Sequence, residues 1–192
     1  MKKQFLILAF LFIASVASAQ EYKKFKLGSG LGWASQSGGV NGVIIYGEPA
    51  YRINDAIAIG LRLEAAGMAK VVEGADAEVT ANVSTTLNGQ YYLSNNKFRP
   101  FVGAGMGFYR TAGFSVTDDG TNAELDLNPA SQFGFYPRVG FDYGHLNFTI
   151  DYNIVPSSEE AIGIDGGGFR VVDVKNSYLS VKLGISMFGG KI

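Results

Sequence analysis

The chain has no cysteine among its 192 residues. Disulfides are thereby excluded, and so are thiolate metal sites. Histidine is nearly absent too, with His145 the single example. A Ser/His/Asp centre would have to use that residue. Beyond residue 19 no apolar run is long enough for a spanning helix. Any membrane residence must therefore be through β-structure. Charge of one sign is also lacking, with Lys and Arg numbering 16 and Asp and Glu 17. That balance gives no reason to expect nucleic acid as a partner.

The one compact apolar run lies at the start. Lys2 and Lys3 precede the stretch Phe5 to Ala14, and Ala17-Ser18-Ala19 follows as a small-x-small site. This is the order of a secretory signal peptide. Removal of residues 1–19 leaves one expected domain, 20–192, with 14 basic residues against 17 acidic ones. Glycine is abundant, at 26 residues, about twice its usual share of roughly 7%. It is spread through alternating segments, so it does not mark a linker.

The clearest of those segments is Ala56 to Ala65, AIAIGLRLEA. Ile57, Ile59, Leu61, Leu63 and Ala65 share one face. Ala58, Gly60, Arg62 and Glu64 share the other. A period of two is a β-strand. The same alternation predicts strands over Tyr22 to Trp33, Val43 to Arg52, Val79 to Leu93, Phe98 to Thr111, Phe133 to Tyr143, Leu146 to Ile154 and Tyr178 to Met187. Tight turns are expected near 53–55, 94–97 and 144–145. Long connections are expected near 35–42, 69–77, 115–131 and 156–176. Eight strands with turns short at one end and long at the other make an antiparallel up-and-down β-barrel.

A soluble barrel shows the same period, so other features must decide what lies outside. Many strands reach ten residues, enough to cross a bilayer when tilted. The polar face is crowded with glycine and short polar groups, which suit a narrow interior; a water-facing surface would carry more Lys and Glu. Trp33, Tyr51, Tyr91, Phe133, Tyr143 and Tyr152 stand near strand ends on the apolar face, as interfacial aromatic girdles do.

With these features the chain resembles the small eight-stranded outer-membrane barrels of the OmpX, OmpA transmembrane-domain and OmpW type. The resemblance runs from Tyr22 to Phe188. It rests on the architecture, on the Gly-rich strand FVGAGMGFY and on the terminal amphipathic strand SYLSVKLGISMF. It implies residence in the outer membrane of a Gram-negative-type envelope, as a monomer, in contact with lipid and outer-leaflet glycolipid. It also implies recognition of the last strand by the barrel assembly machinery. Phe188 would supply the aromatic end signal, although Gly189-Gly190-Lys191-Ile192 follows it.

Alternation turns Lys26, Glu48, Arg62, Glu64, Arg138, Asp142, Asp151 and Lys182 inward. Four are basic and four acidic, and buried charges are tolerable only when paired. An eight-stranded barrel is just wide enough to be filled by its own side chains. The expectation is a neutralised ion-pair network; the alternative is a narrow gated path along the same residues. The OmpW resemblance adds passage of a small hydrophobic compound past Ile44, Tyr46, Phe101, Tyr109 and Tyr136. Asp118, Asp119, Glu124 and Asp126 cluster in one polar segment without calcium-loop spacing. They read as a solvated acidic loop or as a contact for divalent cations bridging surface lipids. Catalytic members of such families place a His at the long-loop end, whereas His145 sits in a tight turn. The expectation is a non-enzymatic protein without metal or cofactor. Its β circular-dichroism spectrum should persist only in detergent or lipid. A folded form that stays soluble after detergent is removed would contradict a lipid-facing exterior.

Overall fold

The structure is a computed structural model and describes residues 22–36, 40–70, 78–116, 123–126, 131–164, 168–174 and 176–189. The expected leader, 1–19, and residues Asp118 and Asp119 lie outside the described residues. The chain forms β1 (Phe25–Gln36), β2 (Val40–Arg52), β3 (Ile57–Lys70), β4 (Glu78–Tyr92), β5 (Phe98–Val116) and β6 (Ala123–Asp126). It continues with β7 (Ser131–Tyr143), β8 (Leu146–Asn153), β9 (Ser158–Ile164), β10 (Gly168–Val174) and β11 (Tyr178–Phe188).

Eight of these strands make a closed antiparallel ring, in the order β4, β3, β2, β1, β11, β8, β7, β5, with β4 pairing back onto β5. Closure leaves no open edge, so every strand finds two partners for its backbone groups. The tight turns fall where expected. Between β7 and β8 the turn is Gly144-His145, with Gly144 at a φ of 62°. A left-handed first residue suits the right-handed twist of a two-residue hairpin.

At the other end the ring carries more strand than alternation alone suggests. Ser35 pairs with Asn41 and Gln36 with Val40. The first connection is therefore 37–39, short where 35–42 was expected to be a loop. Within the expected loop 115–131, β6 pairs back onto the far end of β5. Within 156–176, β9 and β10 form a separate two-stranded sheet. Ser- and Gly-rich backbone has little side-chain pattern of its own, but a neighbouring strand can still hold it in a ladder.

Register fixes the shape of the ring. Arg52 pairs with Ala58, Ala58 with Gln90, Gln90 with Gly103, and Gly103 with Arg138. The path continues through Asp151, Ser180 and Ala34 and returns to β2 at Gly42, ten residues from its start. A stagger of ten over eight strands, at about 3.3 Å per residue and about 4.8 Å between strands, gives a tilt of about 40°. Phe133 and Tyr143 lie at opposite ends of β7. At that tilt their vertical separation is about 25 Å, close to the height of the apolar band on a membrane barrel.

Polarity is inverted relative to a water-soluble domain. Leu31, Ile45 and Leu183 are each 60% exposed, while Arg62 is 0% exposed. Two belts of exposed aromatics bound the apolar wall. Phe25, Tyr51, Tyr91, Phe98 and Tyr143 stand at the tight-turn end, and Trp33, Phe108, Phe133 and Tyr152 toward the loop end.

Inward glycines make room for the large side chains beside them. A Cβ at Gly105 would collide with the Tyr136 phenol, and one at Gly184 with the Tyr46 hydroxyl. Outward Gly89 has nothing near such an atom. Gly105→Val should therefore cost about 1–3 kcal/mol through overpacking, while Gly89→Ala should be close to neutral. Urea unfolding in detergent micelles or lipid vesicles measures both.

Candidate functional site

In the lumen, charged side chains converge from six of the eight ring strands. Lys26 comes from β1, Glu48 from β2, Arg62 and Glu64 from β3, Arg138 and Asp142 from β7, Asp151 from β8 and Lys182 from β11. Each is at least nine-tenths buried. They face inward because each occupies an inward step of its strand.

Asp151 is the hub. Its Oδ2 meets Arg62 Nη1 at 2.6 Å and Lys182 Nζ at 2.5 Å. Its Oδ1 lies 3.4 Å from Arg138 Nε, an ion pair without hydrogen-bond geometry. Lys182 also donates to Glu64, whose Oε2 is 3.4 Å from Arg62 Nε. Toward the loop end the Tyr178 hydroxyl donates to Glu64 Oε1 at 2.9 Å. Toward the tight-turn end Arg138 Nη1 donates to both Glu48 oxygens at 3.0 Å. Gln90 Nε2 donates to Glu48 Oε1 at 2.6 Å, and the Tyr92 hydroxyl donates to Gln90 Oε1 at 3.0 Å. That hydroxyl lies 2.9 Å from Asp142 Oδ2, which receives Lys26 Nζ at 2.6 Å.

The contacts are thus continuous from Lys26, near the start of β1, to Tyr178, the first residue of β11. These positions are at opposite ends of the barrel. All eight expected charges are on this path. Gln90 and Tyr92 join two parts of it and are uncharged, so a search for charges passes over them. Aromatic rings fill the remaining width. Arg62 lies 4.0 Å from the centre of the Tyr136 ring and Lys182 5.6 Å from that of Tyr46. Ile44, Tyr46, Phe101, Tyr109 and Tyr136 are all buried in the interior. Ile44, Met68, Tyr109 and Tyr178 belong to an apolar cluster at the loop end of the network.

Two further buried cations, Arg52 and Arg99, stand outside the eight expected charges although alternation places both inside. They sit one step from the tight turns. His145 is exposed at the same end, with Nδ1 2.9 Å from the Ser186 carbonyl oxygen. In the acidic segment the backbone of Glu124 pairs with Ser115 and that of Asp126 with Gly113. Trp33, Tyr51, Tyr91, Phe133, Tyr143 and Tyr152 are all on the outer wall.

Removing one member of a buried ion-paired group leaves its partners uncompensated, at a cost of about 3–5 kcal/mol. Arg62→Ala and Glu64→Ala should each lower the unfolding temperature of the barrel. No loss from either change would mean that the lumen is wet and open.

Comparison with known proteins agrees with this construction. The profile of the family described as "Outer membrane protein beta-barrel domain" matches residues 5–185. Outer membrane protein W of Vibrio cholerae serotype O1 is 39% identical over 99 residues, covering 47% of this chain and 46% of that protein. The match spans about half the length of that relative. Among solved structures, the outer membrane protein OprG from Pseudomonas aeruginosa superposes with a TM-score of 0.58 at 17% identity, covering 88% of this chain and 98% of that one. Neisserial surface protein A does so with a TM-score of 0.56 at 18% identity, covering 89% and 99%. The last two likenesses concern the fold. With its closed eight-stranded ring, lipid-type exterior and matching profile, the chain belongs to the outer membrane protein β-barrel domain family.

Proposed function

We propose that this outer-membrane barrel is a non-enzymatic, sealed protein with a structural or surface-interaction role. Its longer connections face outward from the cell and its tight turns face inward. The observation that supports a seal is the continuous buried path from Lys26 to Tyr178. A conducting lumen of this width would need water between those groups. Here they contact one another directly, and Tyr46, Phe101 and Tyr136 occupy the space beside them. The same filling opposes passage of a small apolar compound through the midsection. His145 lies away from the long connections, which removes the usual general base from the outward end.

In this reading the lipid bilayer and outer-leaflet glycolipid surround a monomer. The aromatic belts mark the two interfaces, and β11 with Phe188 is the segment read during assembly. A part of the acidic segment around Glu124 and Asp126 stays near the β5–β6 hairpin, where cation-bridged lipid phosphates would meet it.

Planar-bilayer recording separates a seal from a channel. The purified barrel should give no stable open steps at moderate voltage. Reproducible steps of constant size would replace the seal with the narrow-channel reading.

A further inference from the structure

Among the described residues the buried cations are matched by carboxylates except at the tight-turn mouth. Six cations are buried among the described residues: Lys26, Arg52, Arg62, Arg99, Arg138 and Lys182. Lys26, Arg62, Arg138 and Lys182 each have a carboxylate oxygen within 3.0 Å. Arg52 does not; its nearest is Asp142 Oδ2 at 4.0 Å, and Lys26 already holds that oxygen at 2.6 Å. Arg99 has no ion pair among the described residues, and its hydrogen bonds go to neutral oxygens of Ser94, Asp55 and Asn95. Asp55, the other buried acid at this end, accepts the Tyr22 backbone N–H.

Both guanidinium groups keep buried donors without an acceptor, Nε on Arg52 and Nη1 on Arg99. Such donors are costly to leave unmade. Both groups line a half-open depression of about 460 Å³ at this mouth, together with Tyr22, Lys97, Asp142 and His145. Aromatic rings hold the faces of Arg99, with Tyr22 at 3.8 Å and Tyr92 at 4.2 Å from the ring centres. Tyr22 is 5.1 Å from Arg52. Stacking satisfies the faces of a guanidinium. In the guanidinium planes the backbone oxygens of Lys23 and Gly189 take Arg52 Nη1, and Ser94, Asp55 and Asn95 take Nε and Nη2 of Arg99. Arg52 Nε and Arg99 Nη1 remain, and an oxyanion accepts hydrogen bonds from such in-plane donors.

We propose that this depression is a binding site for a phosphate-type oxyanion, held by the edges of Arg52 and Arg99 with Lys97 at its rim. The anion supplies negative charge that the described residues do not place beside Arg52 and Arg99. A free phosphate and the phosphate of a lipid headgroup share this chemistry. Tyr22 forms one wall of the site, and its hydroxyl is held by the backbone oxygens of Asn95 and Asn96 at 3.0 and 3.3 Å.

The test is calorimetric titration of inorganic phosphate into the full refolded chain, in a maltoside detergent and a phosphate-free buffer. One saturable site is expected. Arg52→Gln and Arg99→Gln should each weaken it about tenfold or more, since each removes a charge-assisted donor set. Arg99→Lys keeps the charge without the fork and should fall in between. Lys97→Gln should cause the smallest loss. Heat-dependent gel mobility reports whether each variant is folded. Short-chain phosphatidylglycerol that competes with phosphate identifies a headgroup site; indifference to that lipid identifies a free anion, and both outcomes uphold the site. Phosphate should also protect the unmutated barrel from urea in a saturable manner, a readout that needs no variant. Absence of saturable binding and protection, or binding untouched by both Arg→Gln changes, overturns the proposal.

Discussion

Three cations converge on the Asp151 carboxylate, Arg62 and Lys182 at 2.6 and 2.5 Å and Arg138 at 3.4 Å. They arrive from β7 and β11, the two neighbours of Asp151's own strand β8, and from β3 on the opposite side of the ring. An eight-stranded ring staggered by ten residues has an interior only a side chain or two across. Within that width a charge cannot be left to water. Arg62 and Arg138 must find acids, and the acids must come from opposing walls. The network thus ties distant strands together as a direct result of how narrow the barrel is. Neutral Gln90 and Tyr92 carry it to Asp142 and Lys26 without adding charge.

The outer wall obeys the opposite constraint. Hydrocarbon offers no hydrogen bonds, so the ring has to be closed and its outward steps apolar. Ile57, Ile59, Leu61 and Leu63 meet that demand on the same strand whose other face carries Arg62 and Glu64. Glycine reconciles the two sides. Gly105 and Gly184 give up their side chains so that Tyr136 and Tyr46 can cross the lumen. At the tight-turn mouth Arg52 and Arg99 have no carboxylate within 3.0 Å among the described residues, and both lie against the rings of Tyr22 and Tyr92.

Much of the architecture was legible because a barrel strand must alternate between two very different surroundings. The period of two in Ile57 to Ala65 settled which side chains share a face; strand length, the glycine-rich polar faces and the aromatics near strand ends pointed to lipid on the apolar face. The strand segments from Val79 to Leu93 and Phe133 to Tyr143 were read in the same way. The partners of Arg62 were not legible. They depend on the stagger of the whole ring, which no single strand encodes. Arg99 escaped because it lies one step inside β5 beside a turn, where alternation has barely begun. Ser35, Gln36 and residues 40–42, like β6, looked like loop because backbone pairing, rather than side-chain pattern, makes them strand.

The central claim is that the buried charges act as one network and not as separate pairs. Glu48 and Glu64 are joined through Arg138, Asp151 and Arg62. A double-mutant cycle of Glu48→Gln and Glu64→Gln, read by urea unfolding in lipid vesicles, tests this directly. A linked network predicts a coupling of about 0.5–3 kcal/mol between the two changes. Losses that add to within about 0.3–0.5 kcal/mol would show independent pairs and contradict it.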